Sequence, residues 1–593
     1  MKRLLHTIIA VVMTSAMSWA GPAFRQPYTV TQPDGTQLEL MLNGDEHMAW
    51  LSTTDGTLIV EREKAYYVAA VTDDGVLKAS EVLAHQREQR DAAEQLICEA
   101  QRMRSPLFFD AADQVMTAQR RAQVTNESYF PHSGSPRCLV ILANFKDRQF
   151  VSADPVTQFT QYFMGETQEN LGQAEHKNFV SVRKYFEQSS HGQFTPQFDV
   201  VGPITLPQTL EYYGKNTGNP GTDANFYQFC KDAIAAADSI VDFKLYDNNG
   251  DNRVELVCFI YAGYGESVSG NPAETIWPKC APNGSSTNDG VTVTYCNCSP
   301  ELMTTREGRE TDINGIGLFC HEFSHGLGLP DLYPSNTNAR INNQTPEFFD
   351  LMDYGEYAWN GNSPVPYTAW EQEAMGWIEI EKLEQSKTNI QLKPLLQGGK
   401  AYKFGNGANS EEWIILENVQ TRNATTKTLG FRYGHGLLAW HVAYSKNTVA
   451  MSDNPNNVAG APRVTIIPAD GLIINGYQFG SGKPYTQDEY LTSLEGDPFP
   501  GTGNVTTLKA EQELPNYTFY NGEATPVFQL KNIREADDGT ITFDFDDGTP
   551  TAIQTIEQSA AAETYYTLDG RRIEGKPVRS GLYIHNGKTS VVR

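Results

Sequence analysis

The chain changes its hydrophobic rhythm several times. From residue 21 onward, short alternating stretches (Gln37–Met41, Thr57–Val60, Tyr66–Ala70) are separated by Asp-Gly turns, which predicts a small antiparallel sheet. Ser80–Arg104 is charged and rich in Ala, Glu and Gln, and predicts a helix. Cys138–Phe145 is a continuous apolar run, as a strand covered on both faces requires. Ser181–Gln188 predicts one helix and Thr222–Ile240 another, with Phe226, Cys230 and Ile234 recurring every four residues and Asp223 near the start. Asp247–Asp251 turns the chain into the apolar strand Val254–Ala262. After about residue 380, short alternating strands dominate (Glu412–Glu417, Gly436–Val442, Arg463–Ile467, Thr540–Phe545) with Gly, Asn and Pro between them, the signature of a β-sandwich. The acidic stretch Asp488–Asp497 reads as a solvated loop, and Tyr565–Arg593 as a strand-rich tail.

These changes divide the 593 residues into a leader at 1–20, a propeptide unit with its activation linker at 21–130, a catalytic unit at 131–382, a β-sandwich at 383–548 and a linker with a small β-rich tail at 549–593. The leader has a basic start (Lys2, Arg3), an apolar run from Ile8 to Met13, and Ser18 and Ala20 placed for a cut before Gly21, so it reads as a secretory signal peptide. The arginine-bearing stretch Arg102–Arg121, with the pair Arg120–Arg121, reads as an exposed segment open to nicking. Lysine and arginine number 46 against 72 acidic residues, a net charge of −26, which argues against a nucleic-acid partner. No later segment is apolar enough to span a bilayer. The eight cysteines are few for this length, so disulfides are not the framework, and Cys98 reads as a buried apolar residue rather than a thiolate capping a metal.

The chemistry lies between Asp312 and Asp331. Asp312 suits a helix N-cap, and Ile316, Phe319, Phe323 and Leu327 repeat at helical spacing. His321 and His325 then stand one turn apart on one face and can direct two imidazoles at a single zinc ion. Glu322 lies beside the metal without needing to bind it and is placed to take a proton from an activated water. Gly328 can adopt the positive φ of a helix end and Pro330 cannot continue the helix, so the chain turns back and offers Asp331 as third ligand. Three protein ligands are the catalytic arrangement for zinc, a fourth position being left for water. Chance matches to His-Glu-x-x-His in a chain of this composition number on the order of 0.01.

His-Glu-x-x-His-x-x-Gly-x-x-Asp resembles the zinc signature of metzincin-like peptidases. More narrowly, the chain resembles the immune inhibitor A family of secreted bacterial metallopeptidases (metallopeptidase family six). Supporting stretches are Ser181–Gly192, Asp242–Asp251, Phe349–Gly355, Ala369–Trp377, Glu417–Gln420, Gly436–Val442 and Asp497–Gly501, so the similarity covers about residues 30–545. The resemblance implies an α+β multidomain protein with a metzincin-like zinc peptidase domain, a twisted sheet plus the active-site helix. It implies that Met352 sits in a tight turn under the zinc as an apolar floor, and that Tyr354 stabilises the oxyanion. The function expected is that of a secreted zinc endopeptidase acting on proteins, made as a latent precursor whose own propeptide blocks the cleft. The competing reading is a secreted binding or adhesion protein with a vestigial metal site, against which the intact Glu322 speaks.

A second metal is expected at Asp247–Glu255. Asp247, Asn249, Asp251 and Glu255 place oxygens at positions 1, 3, 5 and 9 of a calcium-type loop, although Asn252 stands where an EF-hand has glycine and Cys258 where it has glutamate. His441 follows Trp440 on an apolar strand and reads as a core histidine, and His176 and His191 have no usable partner spacing. The tail resembles the C-terminal sorting or anchoring modules of exported bacterial proteins, which leaves free secretion and retention at the cell surface both open.

Overall fold

The structure is a computed structural model, and it describes residues 21–592 except 46–47, 121–128, 167–176, 218–221, 269, 273, 406–410, 448, 477, 479–484, 521–526, 550–563 and 586. The predicted signal peptide, His176 and the linker from Arg121 therefore lie outside the described residues.

The N-terminal unit is a six-stranded antiparallel meander whose spatial order follows the sequence from Tyr28–Thr31 to Leu77–Leu83. Glycines at positive φ close its tight turns, as at Gly35 (89°) and Gly75 (78°), where a side chain would be strained. The helix predicted from Ser80 starts later and runs longer, at Ala92–Arg120. Ser80–Leu83 instead completes the edge strand Leu77–Leu83, and Asp91 accepts the Glu94 amide at 2.8 Å to start the helix. Gln101 fastens helix to sheet, bonding both polar backbone groups of Leu58 and the Ala69 carbonyl at 2.7–2.8 Å. Cys98 packs in this unit's own core with Leu38, Leu40 and Val68.

The central unit is built on a five-stranded sheet in the order Lys279–Ser286, Thr292–Leu302, Arg253–Tyr264, Arg137–Asn144, Gln197–Thr205. Only the first pair is antiparallel. The apolar run at Cys138 is accounted for by two covered faces. Cys138, Val140 and Leu142 pack toward the helices Pro155–Met164, Val182–Ser189 and Ile316–Gly326, whereas Leu139, Ile141 and Ala143 pack toward the helix Phe226–Ala237. That last helix is shorter than Thr222–Ile240 because Asp223 does not cap it: the carboxylate is buried 2.9 Å from Lys279 Nζ.

After Trp377 the chain forms a five-stranded sheet (from Glu381–Lys382 to Val464–Ile466) and a three-stranded sheet (Lys387–Leu392, Ile541–Asp546, Gln529–Glu535). Their facing side chains, among them Leu416, Leu437, Leu530 and Phe543, share one core. The opposite face of the five-stranded sheet, with Ile415, Leu438, Trp440 and Ile466, belongs to the same core as Phe319, Phe323 and Met352 of the central unit. The acidic stretch read as a solvated loop is a helix, Gln487–Gly496, opened by a capping box between Thr486 and Glu489 and followed by a buried Asp497. A four-stranded sheet between Thr564–Thr567 and Lys588–Val592 forms the tail.

Candidate metal centre and peptide cleft

The helix Ile316–Gly326, which carries His321, Glu322 and His325, is buried along its whole length. It starts three residues later than a cap at Asp312 would give: Gly315 is the N-cap, and Asp312 pairs with Arg309 at 2.8 Å. The first-turn amides of Ile316 and Gly317 are taken by Asn178 Oδ1 and the Gly361 carbonyl, each at 2.9 Å. Gly317 is required by close approach, because a Cβ there would lie 1.9 Å from the Glu356 carbonyl oxygen. At the other end Gly328 takes φ 103° and the chain turns back through Pro330.

This exit brings Asp331 to the histidines. Asp331 Oδ1 lies 3.3 Å from His321 Nε2 and 3.3 Å from His325 Nε2. The two rings stand nearly perpendicular, 89°, with centroids 4.9 Å apart. His321 Nδ1 bonds the Leu351 carbonyl at 2.9 Å and His325 Nδ1 the Leu329 carbonyl at 2.8 Å. A carbonyl only accepts, so each Nδ1 carries the proton and each Nε2 presents a lone pair. Both Nε2 atoms and Asp331 Oδ1 are buried without a hydrogen-bond donor, a costly state unless a cation completes it. Among the described residues these are the only three His, Cys, Asp or Glu side chains so grouped, their ligand atoms within 4.8 Å of one another. Two neutral imidazoles and one carboxylate are the donor set that suits zinc.

The turn Asp350–Gly355 braces this group. The Leu351 carbonyl orients His321, and the Met352 carbonyl accepts the amide of Leu332, next to Asp331, at 2.9 Å. Met352 is fully buried among Leu327, Leu329 and Leu332. Glu322 is also fully buried, and burial pushes its carboxyl up to about 8 against the pull of the Gly21 amide. A divalent cation at the neighbouring ligands would pull it further toward the ordinary carboxylate range.

The N-terminal segment threads this site. The Gly21 amide donates to Glu322 Oε1 at 2.9 Å, Trp277 Nε1 donates to the Gly21 carbonyl at 3.4 Å, and the Tyr357 hydroxyl donates to the Pro22 carbonyl at 2.8 Å. Phe24 stacks on Tyr357 with ring centroids 4.5 Å apart, and its amide bonds the Ser267 carbonyl at 2.8 Å, parallel to Val268. Arg25 donates from Nε to the Tyr354 hydroxyl and from Nη1 to the Gly476 carbonyl. A Cβ on Gly21 would lie 2.2 Å from Glu356 Oε1, so glycine fits here with the least displacement. Sequence reasoning did not single out Glu356, Tyr357, Glu347 or Tyr490, which lie beside this segment. A glycine just past the predicted leader cut and the spacing Tyr354-x-x-Tyr357 were the only available hints.

The Asp247–Glu255 loop differs. Asp247 accepts the amides of Gly250, Asp251 and Asn252 at 2.7–3.1 Å, Asn249 that of Asp251 at 2.9 Å, and Asp251 that of Arg253 at 2.9 Å. Of the four expected calcium ligands only Glu255 is buried, with Oε1 lacking a donor. His441 is buried with Nε2 2.7 Å from Glu412, His435 pairs with Glu535 and His191 with Gln372, each outside the metal group.

Residues 135–378 match the family model described as immune inhibitor A peptidase M6, catalytic domain. The pre-pro-metalloprotease PrtV of Vibrio cholerae serotype O1 is 24% identical over 248 residues, covering 37% of this chain and 26% of the relative. Immune inhibitor A of Bacillus thuringiensis subsp. alesti is 23% identical over 287 residues, covering 42% of this chain and 41% of the relative. The chain thus spans about a quarter to two fifths of the length of these curated relatives. The resemblance to the immune inhibitor A family holds over the stretch that contains His321, Glu322, His325, Asp331, Met352 and Tyr354. No helix among the described residues is long and apolar enough to cross a membrane.

Proposed function

We propose that this chain, with its match to a peptidase M6 catalytic domain, is a secreted zinc-dependent endopeptidase made as a latent precursor and acting on protein substrates. The observation that carries the reading is the convergence of three donor-free buried atoms, His321 Nε2, His325 Nε2 and Asp331 Oδ1, beside Glu322. A zinc ion held there would polarise the scissile carbonyl and acidify a water. Glu322 takes a proton from the attacking water and delivers it to the leaving amine. The Leu351 and Leu329 carbonyls keep the two imidazoles in the liganding tautomer, and Met352 supplies the apolar floor. Tyr354 steadies the oxyanion once Arg25 has left its hydroxyl; Tyr354→Phe is expected to lower kcat by about 10²–10³ in steady-state assays of the activated enzyme.

Latency is supported by Gly21–Arg25, which ties up Glu322 through the Gly21 amide and Tyr354 through Arg25. The division into 21–130, 131–382, 383–548 and 549–593, the β-sandwich and a metzincin-like catalytic fold are part of the same proposal, as is secretion, with the tail a means of retention at the cell surface. Calcium has narrower support, since Asp247, Asn249 and Asp251 already shape their loop through backbone amides. The decisive experiment measures zinc content and casein or gelatin hydrolysis before and after cleavage in the linker, for the wild type and Glu322→Ala. About one zinc per chain in both, with activity appearing only in the cleaved wild type, is expected. Equal hydrolysis by the two proteins would sink the assignment.

A further inference from the structure

Arg25 enters a pocket that the latent state does not by itself explain. A cavity of about 230 Å³ opens beside the segment, with Tyr354 and Phe348 from the central unit and Gly476 and Tyr490 from the unit after it. The Arg25 guanidinium lies over the Tyr354 ring, 4.8 Å from its centroid, while Nε and Nη1 donate to the Tyr354 hydroxyl and the Gly476 carbonyl. Behind the Gly476 backbone lies Glu347, a fully buried carboxylate that accepts the Tyr490 hydroxyl at 2.5 Å, the Thr345 hydroxyl at 2.8 Å and the Gly476 amide at 3.3 Å. A Cβ on Gly476 would lie 3.3 Å from Glu347 Oε2 and 3.4 Å from Arg25 Nη2, so glycine lets the cation and the carboxylate approach each other across the backbone. Ring face, carbonyl and buried carboxylate together match a planar, delocalised cation better than a point charge.

We propose that this pocket is a substrate subsite for a basic side chain, arginine above lysine, with Glu347 as the residue that sets the preference. The inference rests on the peptidase reading and deepens it. The segment marks the path of a peptide: Gly21 touches Glu322, Pro22 touches Tyr357, and Arg25 reaches the pocket four residues along. When the N-terminal unit leaves, the Tyr354 ring face and the Gly476 carbonyl lose their guanidinium, and a substrate arginine takes its place there, near Glu347, with the Tyr354 hydroxyl left to the oxyanion. The subsite is shared between two units of the chain, so the unit after Trp377 takes part in choosing substrates.

The test uses the full chain cleaved in the linker and freed of its N-terminal unit. Fluorogenic peptides carry Arg, Lys, Gln or Glu at successive positions up to five residues from the scissile bond. At one position kcat/KM for Arg is expected to exceed Gln by about tenfold or more, with Glu poorest, and Glu347→Gln is expected to bring the Arg/Gln ratio close to one. In parallel, fluorescence polarisation reads the binding of labelled Gly-Pro-Ala-Phe-Arg against Gly-Pro-Ala-Phe-Gln, which needs no turnover. No preference for arginine in either measurement overturns the proposal. Preferential binding of the arginine peptide by a chain that hydrolyses nothing would sink the peptidase reading and leave the subsite standing. Should Glu347→Gln fail to fold, the wild-type ratios and the peptide pair decide alone.

Discussion

Two segments of this protein gather acidic and polar side chains, and they are built in opposite ways. At Asp247–Glu255 the side-chain oxygens of Asp247, Asn249 and Asp251 are spent on the amides of their own turn. At His321–Asp331 the backbone is satisfied by other means, and two imidazole nitrogens and a carboxylate oxygen are left buried, convergent and without donors. The first loop holds its shape by itself, and an ion would be an addition. The second gathers lone pairs that a cation would take up. What distinguishes a metal centre from a polar turn is therefore the presence of unclaimed lone pairs at one point, and not the number of ligand-type residues.

The sharpest way to break this contrast is to remove a ligand from each segment. His321→Ala is expected to lose zinc by metal analysis and to reduce proteolysis to background, whereas Asp247→Ala is expected to keep zinc and most activity. Loss of zinc from Asp247→Ala, or its retention by His321→Ala, would reverse the assignment.

A smaller effect separates the glycines. Gly317→Ala, which drives a Cβ against the Glu356 carbonyl, is expected to cost about 1–3 kcal/mol in denaturant unfolding. Gly250→Ala meets open space and only the strain of φ 77°, at about 1 kcal/mol. Equal costs would mean that the active-site helix tolerates displacement from the turn beneath it.

The smallest effect is that of calcium. Millimolar calcium is expected to raise Tm by a few degrees, and Asp251→Asn to abolish the rise. A flat response in the zinc-loaded protein would leave the loop as a turn without an ion.

Much of the candidate metal centre's geometry was legible because it is local. His321 and His325 are one helical turn apart, and Gly328 and Pro330 announce the exit that carries Asp331. Elements with a strong local pattern, such as Cys138–Phe145 and Gly436–Val442, were likewise readable within a residue or two. What escaped depends on contacts distant in sequence. Asp312 looks like a cap until Arg309 claims it, and Asp223 until Lys279 does. The charge of Asp488–Asp497 suggested solvent, yet Tyr490 points inward to Glu347, 143 residues away. Nothing in the residues near Gly21 says that they lie against Glu322, 301 positions later.

One face of the five-stranded sheet after Trp377, with Ile415, Leu438, Trp440 and Ile466, lies in a core common to the active-site helix. Cutting the polypeptide at the end of the matched stretch, near residue 378, would bare that wall to water. A fragment trimmed to residues 135–378 is thus expected to come out of expression as aggregate, and any natural maturation has to spare this joint. The smallest soluble fragment that keeps this core should extend at least through the strand Ile541–Asp546.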